Sequence, residues 1–423
     1  MLKTQFITEE IKDQYLLDTR PWIIGFSGGK DSSMMLQLVW YALRQLRKDQ
    51  LTKNIHVVCN DTLVENPKIA EWIDKSLNNI KIAAEKENLP FIVAKTTPTL
   101  EDTFWVNLIG KGYPSPNNTF RWCTERLKIK PTSKYIQKQI EQNGEVIILL
   151  GTRIDESSNR KKSMAKYQID NQRLKRHVDL SLAYVYTPIQ NVTTNEVWQY
   201  MLQVPSPWNG TNRDLVTLYR NGTGGDCPLV IDTTTPSCGQ SRFGCWVCTV
   251  VSRDKSMEAM IENGEEWMEP MLELRDWLAE NRDIDDLRMH RRRNGQAGKG
   301  PFTIDARSKI LYLLLSAQKK TGQELISNQE LKAIQVLWNM DGFDNNVYDV
   351  FNDIYELKTT FEMSNKDEIK KQQADELKNI AEKHEADFTK LQTLLKVVVD
   401  KNVLSKRIDI QQTIKGLFEP FDV

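Results

Sequence analysis

Trp22-Ile23-Ile24-Gly25-Phe26-Ser27-Gly28-Gly29-Lys30-Asp31-Ser32-Ser33 is the stretch whose reading decides the fold. Its first five residues form a short apolar run of the kind buried on both faces of a parallel sheet. Paired glycines follow, and then an amphipathic helical pattern over residues 32–47. A buried strand, a glycine turn and a helix start together make an anion site. The glycines let backbone N–H groups turn inward with no Cβ in the way, and the helix N-terminus adds partial positive charge. A pyrophosphate is the natural occupant. Lys30 neutralises it, Ser27 and Ser32 donate to its oxygens, and Asp31 orients Mg²⁺. The spacing matches neither Gly-x-x-x-x-Gly-Lys nor Gly-x-Gly-x-x-Gly, so both of those phosphate loops are excluded. A plain strand-to-helix turn capped by Asp or Ser is the competing account, and it fits the full Ser-Gly-Gly-Lys-Asp-Ser string less well.

Working outward, further strands are expected at residues 55–59, 91–94 and 146–150, with helical patterns between them, for example over 67–86. Alternating strand and helix is the signature of a parallel sheet wrapped by helices, with ligand-binding loops at the strand C-termini. The expected fold is therefore α/β: a parallel five-stranded sheet with helices on both faces, then a cysteine-rich region, then an α-helical part. The expected domains are 1–206, 207–303 and 304–423. Within the later chain, 257–280 reads as helical with breaks at Gly264 and Pro270, and 288–300 as a basic mobile loop. Residues 304–318 and 328–338 read as core helices, and 366–395 as a charged helix.

Lys plus Arg and Asp plus Glu are each 57, so the net charge is zero. That excludes holding nucleic acid by bulk charge but allows segregated patches. With 40% hydrophobic residues and eleven Trp, the chain has the apolar mass for a sizeable core and is no disordered segment. It has no apolar run long enough to span a membrane and no secretory pattern at residues 1–10, so a cytoplasmic location is expected.

Six cysteines are too few for a disulfide scaffold. Four of them, Cys227, Cys238, Cys245 and Cys248, fall close together, and Cys245-Trp246-Val247-Cys248 is a C-x-x-C pair. No His lies near, so an all-thiolate site is favoured, either zinc or [4Fe–4S], with Cys227 or Cys123 as fourth ligand. Cys59, within an expected strand, reads as a buried inert thiol. Two basic segments stand out. Residues 157–177 carry seven basic side chains against Asp170, and 288–299 carry Arg288, Arg291, Arg292, Arg293 and Lys299 with no acid. Either tracks a phosphodiester backbone or is ordinary solvated surface, and phosphate contacts specify no sequence.

The Ser27–Ser32 string resembles the PP-loop of ATP pyrophosphatases. Three more motifs follow in order and resemble the PAPS-reductase-like branch of that family: Asn60-Asp61-Thr62 with Glu65 and Pro67; Arg121-Trp122-Cys123-Thr124 with Lys128 and Pro131; and Gly151-Thr152-Arg153-Ile154-Asp155-Glu156-Ser157 with Arg160. Within the branch, the resemblance is nearest to DndC-type proteins, the ATP-hydrolysing sulfur-insertion components of DNA phosphorothioate modification. It continues through Cys245–Val251 and the arginine-rich loop to Gly300-Pro301-Phe302-Thr303. The resemblance implies ATP bound by Ser27, Gly28, Gly29, Lys30, Asp31, Ser32, Asp61, Thr62, Gly151, Arg153, Glu156, Ser157 and Arg160, with Lys30, Asp31 and Arg153 catalytic and Mg²⁺ assisting. It implies a [4Fe–4S] cluster on Cys123, Cys238, Cys245 and Cys248, with Cys227 spare or sulfur-carrying. It further implies DNA contact through Arg291, Arg292 and Arg293, a cysteine desulfurase as sulfur donor, and other subunits of a DNA-modification complex as partners.

The expected activity is ATP-dependent sulfur insertion into the DNA backbone. Three competitors remain. A tRNA thiolase uses the same loop and cluster but adenylylates a base carbonyl. A PAPS or APS reductase needs a C-terminal thiol, and no Cys follows Cys248. A non-catalytic nucleotide- and DNA-binding scaffold would release no pyrophosphate.

Overall fold

The computed structural model describes residues 2–156, 173–222, 244–293, 296–358 and 365–384, with 386, 388 and 391. Its central sheet has six strands: β1 Trp22–Gly25, β2 Ile55–Asn60, β3 Phe91–Thr96, β4 Val146–Leu149, β5 Leu174–Arg176 and β6 Ala183–Tyr186. Their order is β3-β2-β1-β4-β6-β5. Five strands are parallel, as expected, in registers such as Trp22↔Ile55 and Trp22↔Ile147. The sixth, β5, runs antiparallel to β6 and was absent from the sequence reading. Leu174-Lys175-Arg176 carries no apolar run because an edge strand need not be buried on both faces, and its charges discourage further pairing.

Helices cover both faces, following the two-residue alternation of each strand. Ile23, Val58, Val146 and Ile148 pack on one face with Ile136 of helix α4, if the first four helices are labelled α1 Leu2–Leu16, α2 Lys30–Arg44, α3 Pro67–Glu87 and α4 Lys130–Asn143. On the other face, Trp22 meets Tyr15 of α1 edge-on at 5.3 Å, and α1 lies along α2. α3 starts where the sequence supplies a cap: Asn66 accepts from the Lys68 N–H at 3.0 Å, with Pro67 at the first helical position.

The described chain divides into two compact units, residues 1–99 with 116–266, and residues 100–115 with 267–423. The first holds the sheet and the helices Thr194–Gln203, Asn212–Gly222 and Lys255–Glu262. The last of these ends before Gly264, whose φ of +102° only glycine adopts easily. The second unit holds the helices Glu269–Glu280, Ile304–Thr321, Asn328–Met340, Val347–Tyr355 and Asn365–Lys383. Pro270 opens Glu269–Glu280 rather than breaking it, since the first turn needs no donor there. Arg307 is fully buried in this unit and donates to the carbonyls of Phe302 (2.9 Å) and Gly110 (3.0 Å). Burial pushes its guanidinium down to about 10, with Asp341 opposing that shift.

The basic segment corrects the expectation of a mobile loop. Arg288 pairs across with Phe302 and Arg291 with Ala297, and the Met289 N–H donates to the Pro301 carbonyl at 2.8 Å. The result is a hairpin-like arm, tightened because Arg288 is buried and donates to the Arg282 carbonyl (2.8 Å). Among the described residues, no helix is long and apolar enough to cross a membrane.

Candidate functional site

Strand β1 lies between β2 and β4, so the chain leaves the C-terminal ends of β1 and β4 in opposite directions across the sheet. Open α/β sheets bind their ligands in the crevice at such a switch point. The sequence puts Ser27–Ser32 at the end of β1 and Gly151-Thr152-Arg153 at the end of β4. A Cβ on Gly151 would stand 3.0 Å from the Asp31 carbonyl and the Ser32 nitrogen, so glycine there lets the two turns touch.

The first turn is shaped by its own small residues. Gly28 has φ +73°, and any Cβ there would come within 2.8 Å of Ile73 Cγ1. The Trp72 indole donates to the Gly28 carbonyl at 3.0 Å. Ser32 Oγ donates to the Gly29 carbonyl (3.0 Å) and lies 3.1 Å from Ser27 Oγ, so both hydroxyls brace the loop from inside. Helix α2 then begins at Lys30 with Gly29 as N-cap, two residues earlier than its sequence pattern indicates, and Gly29 has no side chain to cap it. A glycine N-cap leaves the dipole charge of the helix start for an anion.

Lys30 and Asp31, though they follow a glycine turn at the sheet edge, are buried. Lys30 Nζ lies 2.9 Å from Asp31 Oδ2, and Arg153 Nε donates to Asp31 Oδ1. Arg153 is only 1% exposed; its Nη1 donates to the Val192 carbonyl (3.1 Å) and Thr194 Oγ1 (3.3 Å). One carboxylate thus sits between two cations in a low-dielectric crevice, where unlike ions attract strongly, and Arg153 Nη1 also lies 3.7 Å from Asp155 Oδ2. Arg153, expected to be catalytic, contacts the first turn through Asp31.

Two aromatic residues that the sequence reading missed close over this group. The Lys30 N–H donates to Tyr219 Oη at 3.2 Å, and Lys30 Nζ lies 5.4 Å from the Tyr219 ring and 5.9 Å from the Trp198 ring. Both come from helices beyond β6, and their packing against β1's loop leaves no mark in linear spacing. Trp198 rides on Thr194–Gln203, which is capped by Thr193 and Glu196 in a reciprocal box. Glu196 also pairs with Lys3 at 2.8 Å, and that contact, then the Thr193 N–H, pulls its carboxyl down to about 2. A depressed acid contributes stability that is complete above its ordinary value of 4.5 and is lost as pH falls towards about 2. Because the pair is partly exposed, Glu196→Gln is expected to cost about 0.5–1 kcal/mol at pH 7. Urea unfolding should show that gap closing below pH 3; a gap of equal size at both pH values would refute the assignment.

At the end of β2, Asp61 Oδ1 accepts from the Leu63 N–H (2.8 Å) and its other oxygen pairs with Lys95 (3.0 Å), while Thr62 Oγ1 donates to Glu65 (2.8 Å). Cys245 pairs with Glu65 as a short antiparallel bridge, and the Trp246 N–H donates to the Val64 carbonyl at 3.0 Å. The Cys245 thiol lies 3.3 Å from Thr62 Oγ1 and 4.0 Å from Glu65 Oε1. The Cys248 N–H closes a turn on the Cys245 carbonyl (3.0 Å), and Thr249 Oγ1 donates to the Pro116 carbonyl, seven positions before Cys123. Cys123, Cys245 and Cys248 are half-buried and in no disulfide, chemically right for an all-thiolate group. Yet among the described residues no three His, Cys, Asp or Glu side chains stand close enough to hold a metal, so these three cysteines are not gathered into one site. Cys59 is buried, and burial pushes its thiol well up, as an inert core cysteine requires.

Glu156 closes a short turn, Ile154–Glu156. Ser157, Arg160, Cys227 and Cys238 lie outside the described residues. In the second unit Arg292 and Arg293 are exposed and Arg291 half-buried. Arg293 donates to the Lys111 carbonyl and stands 5.5 Å over Tyr113.

A mostly parallel sheet with a glycine turn backed by Lys30 and Arg153 at its switch point defines an α/β domain whose functional residues gather at a strand-to-helix turn. Residues 21–251 match the phosphoadenosine phosphosulfate reductase domain, and the chain belongs to that family. An uncharacterized protein of Methanocaldococcus jannaschii is 26% identical over 238 residues, which are 56% of this chain and 38% of that relative. The chain therefore spans well under half of that relative's length. Among solved structures, the U34-tRNA thiolase NcsA from Methanococcus maripaludis, with its [4Fe-4S] cluster, is similar at 12% identity and a TM-score of 0.27. That comparison covers 66% of this chain and 79% of the thiolase, and a likeness at this level carries no weight for fold or chemistry.

Proposed function

We propose that the protein is an ATP-dependent sulfurtransferase that inserts sulfur into the DNA backbone. The observation that carries the nucleotide part is the glycine-capped start of α2, with Lys30, Asp31 and Arg153 gathered behind paired glycines at the sheet's switch point. A non-bridging phosphate oxygen is a hopeless leaving group. Its attack on the α-phosphorus of ATP releases pyrophosphate and forms a mixed anhydride with AMP. The outer sulfur of a persulfide then attacks the backbone phosphorus, and AMP leaves. A second thiol attacks the carrier sulfur of the resulting S–S bond, freeing the phosphorothioate and leaving a carrier disulfide. Lys30 and the first N–H groups of α2 stabilise the charge gathering on the departing pyrophosphate, and positioning supplies most of the remainder. Asp31 Oδ2, now bonded to Lys30, is the oxygen a magnesium ion arriving with ATP would take.

The sulfur comes in this reading from a separate cysteine desulfurase acting with the other subunits of a modification complex. Arg291, Arg292 and Arg293 give the DNA phosphate contacts, with exposed Arg292 the strongest candidate of the three. Cys123, Cys238, Cys245 and Cys248 hold a [4Fe–4S] cluster, Cys238 being supplied from outside the described residues. The support is the C-x-x-C turn, the half-buried cysteines outside any disulfide and the resemblance of the Arg121–Cys123 segment to its family counterpart.

The test is direct. Nucleic acid from cells with and without the protein is digested and examined for phosphorothioate dinucleotides and thionucleosides. Phosphorothioates that vanish with the protein support the reading, whereas loss of a thionucleoside alone would make the acceptor a tRNA base. Neither change, with no pyrophosphate released from ATP, would leave a nucleotide-binding scaffold.

A further inference from the structure

We infer that the Tyr219 hydroxyl occupies the position of a phosphate oxygen, a gate that the nucleotide must displace to enter the cradle. This deepens the proposed function and rests on its phosphate-binding loop. At a helix start whose N-cap is glycine, the first N–H groups are the donors a phosphate needs, yet the Lys30 N–H already donates to Tyr219 Oη at 3.2 Å. The Lys30 ammonium is enclosed by the same residue. Tyr219 and Trp198 meet edge-on with centroids 5.0 Å apart, and Nζ lies within 6 Å of both rings. Asp31 takes the remaining side at 2.9 Å. An anion that reaches both the Lys30 N–H and its ammonium must take the phenol's place.

The exchange runs in the right direction energetically. A neutral phenol oxygen keeps a buried donor satisfied while the site is empty. An ionised phosphate oxygen forms the stronger, charge-assisted bond when it arrives. The helix itself need not leave. Asn212, at its start, is pinned to Gln37 of α2 (2.7 Å) and donates to the Val204 carbonyl (2.7 Å). Tyr219 lies about two turns beyond that anchor, so rotation of one side chain, with a small shift of the helix end, clears the donor.

The experiment is calorimetric titration of the full chain and its Tyr219→Phe variant with inorganic pyrophosphate and with a non-hydrolysable ATP analogue, alongside thermal unfolding of each free protein. Phe keeps the ring over Lys30 and against Trp198 but removes the competing acceptor, worth roughly a three- to tenfold gain in affinity for both ligands. The free variant should melt no higher than wild type, which separates gating from a general improvement in folding. Unchanged or weaker binding by Tyr219→Phe, with wild type binding normally, would overturn the gate and leave the phosphate loop standing. If neither protein binds either ligand, the phosphate loop and the gate fail together.

Discussion

Asp31→Ala is expected to end pyrophosphate release from ATP and to lower folding stability by about 3–5 kcal/mol, the usual cost of breaking a buried ion pair from one side. The reason is the arrangement around it. Asp31 is the carboxylate between Lys30 and Arg153, all three buried, so its removal takes the shared carboxylate from two buried cations at once. Lys30→Ala should also end release but cost clearly less stability, because Asp31 keeps Arg153. Pyrophosphate release and urea unfolding, measured on both variants, check this order. Turnover at the wild-type rate in both variants would remove the phosphate-loop reading; equal stability losses would remove the account of Asp31 as the shared partner.

The second large effect concerns iron. Protein purified without oxygen should be brown and contain about four iron atoms, as a [4Fe–4S] cluster demands. Cys245→Ser and Cys248→Ser should each remove the colour, since a hydroxyl binds iron far worse than a thiolate. Cys123→Ser and Cys238→Ser should do the same, and Cys59→Ser, deep in β2, should not. Cys227→Ser decides the fourth ligand: iron lost there but kept in Cys123→Ser would exchange the two. One zinc and no iron in the anaerobic wild type would refute the cluster while leaving the ATP site intact, because residues 27–33 are braced by their own serines and Trp72.

Much of this was legible in the chain. Runs such as Ile55–Cys59 and Val146–Leu150 are buried on both faces, so they announce themselves as strands, and the glycine string marks the turn that follows the first. The failures have physical causes. β5 was invisible because an edge strand needs no apolar run. The burial of Lys30 and Asp31 was not legible because it comes with partners far along the chain, Arg153 lying 122 positions from Asp31. Tyr219 and Trp198 carry ordinary core signatures on amphipathic helices, and only tertiary packing aims them at the Lys30 amide. The arginine-rich loop lost its expected freedom because Arg288 directs its charge inward, onto the backbone.

The short bridge between Glu65 and Cys245 has a bearing on assembly. It joins residues 180 positions apart, so closing it unaided carries a large chain-entropy cost that grows slowly with loop length. Contacts of such long range come late, after nearer ones have shortened the effective loop. The loop after β2 must therefore already be in place, held by the sheet, before the Cys245–Cys248 turn has anything to dock on. Any cofactor that needs those thiols side by side is then inserted into a chain whose nucleotide crevice is already built, which makes loading a check that the sheet has folded.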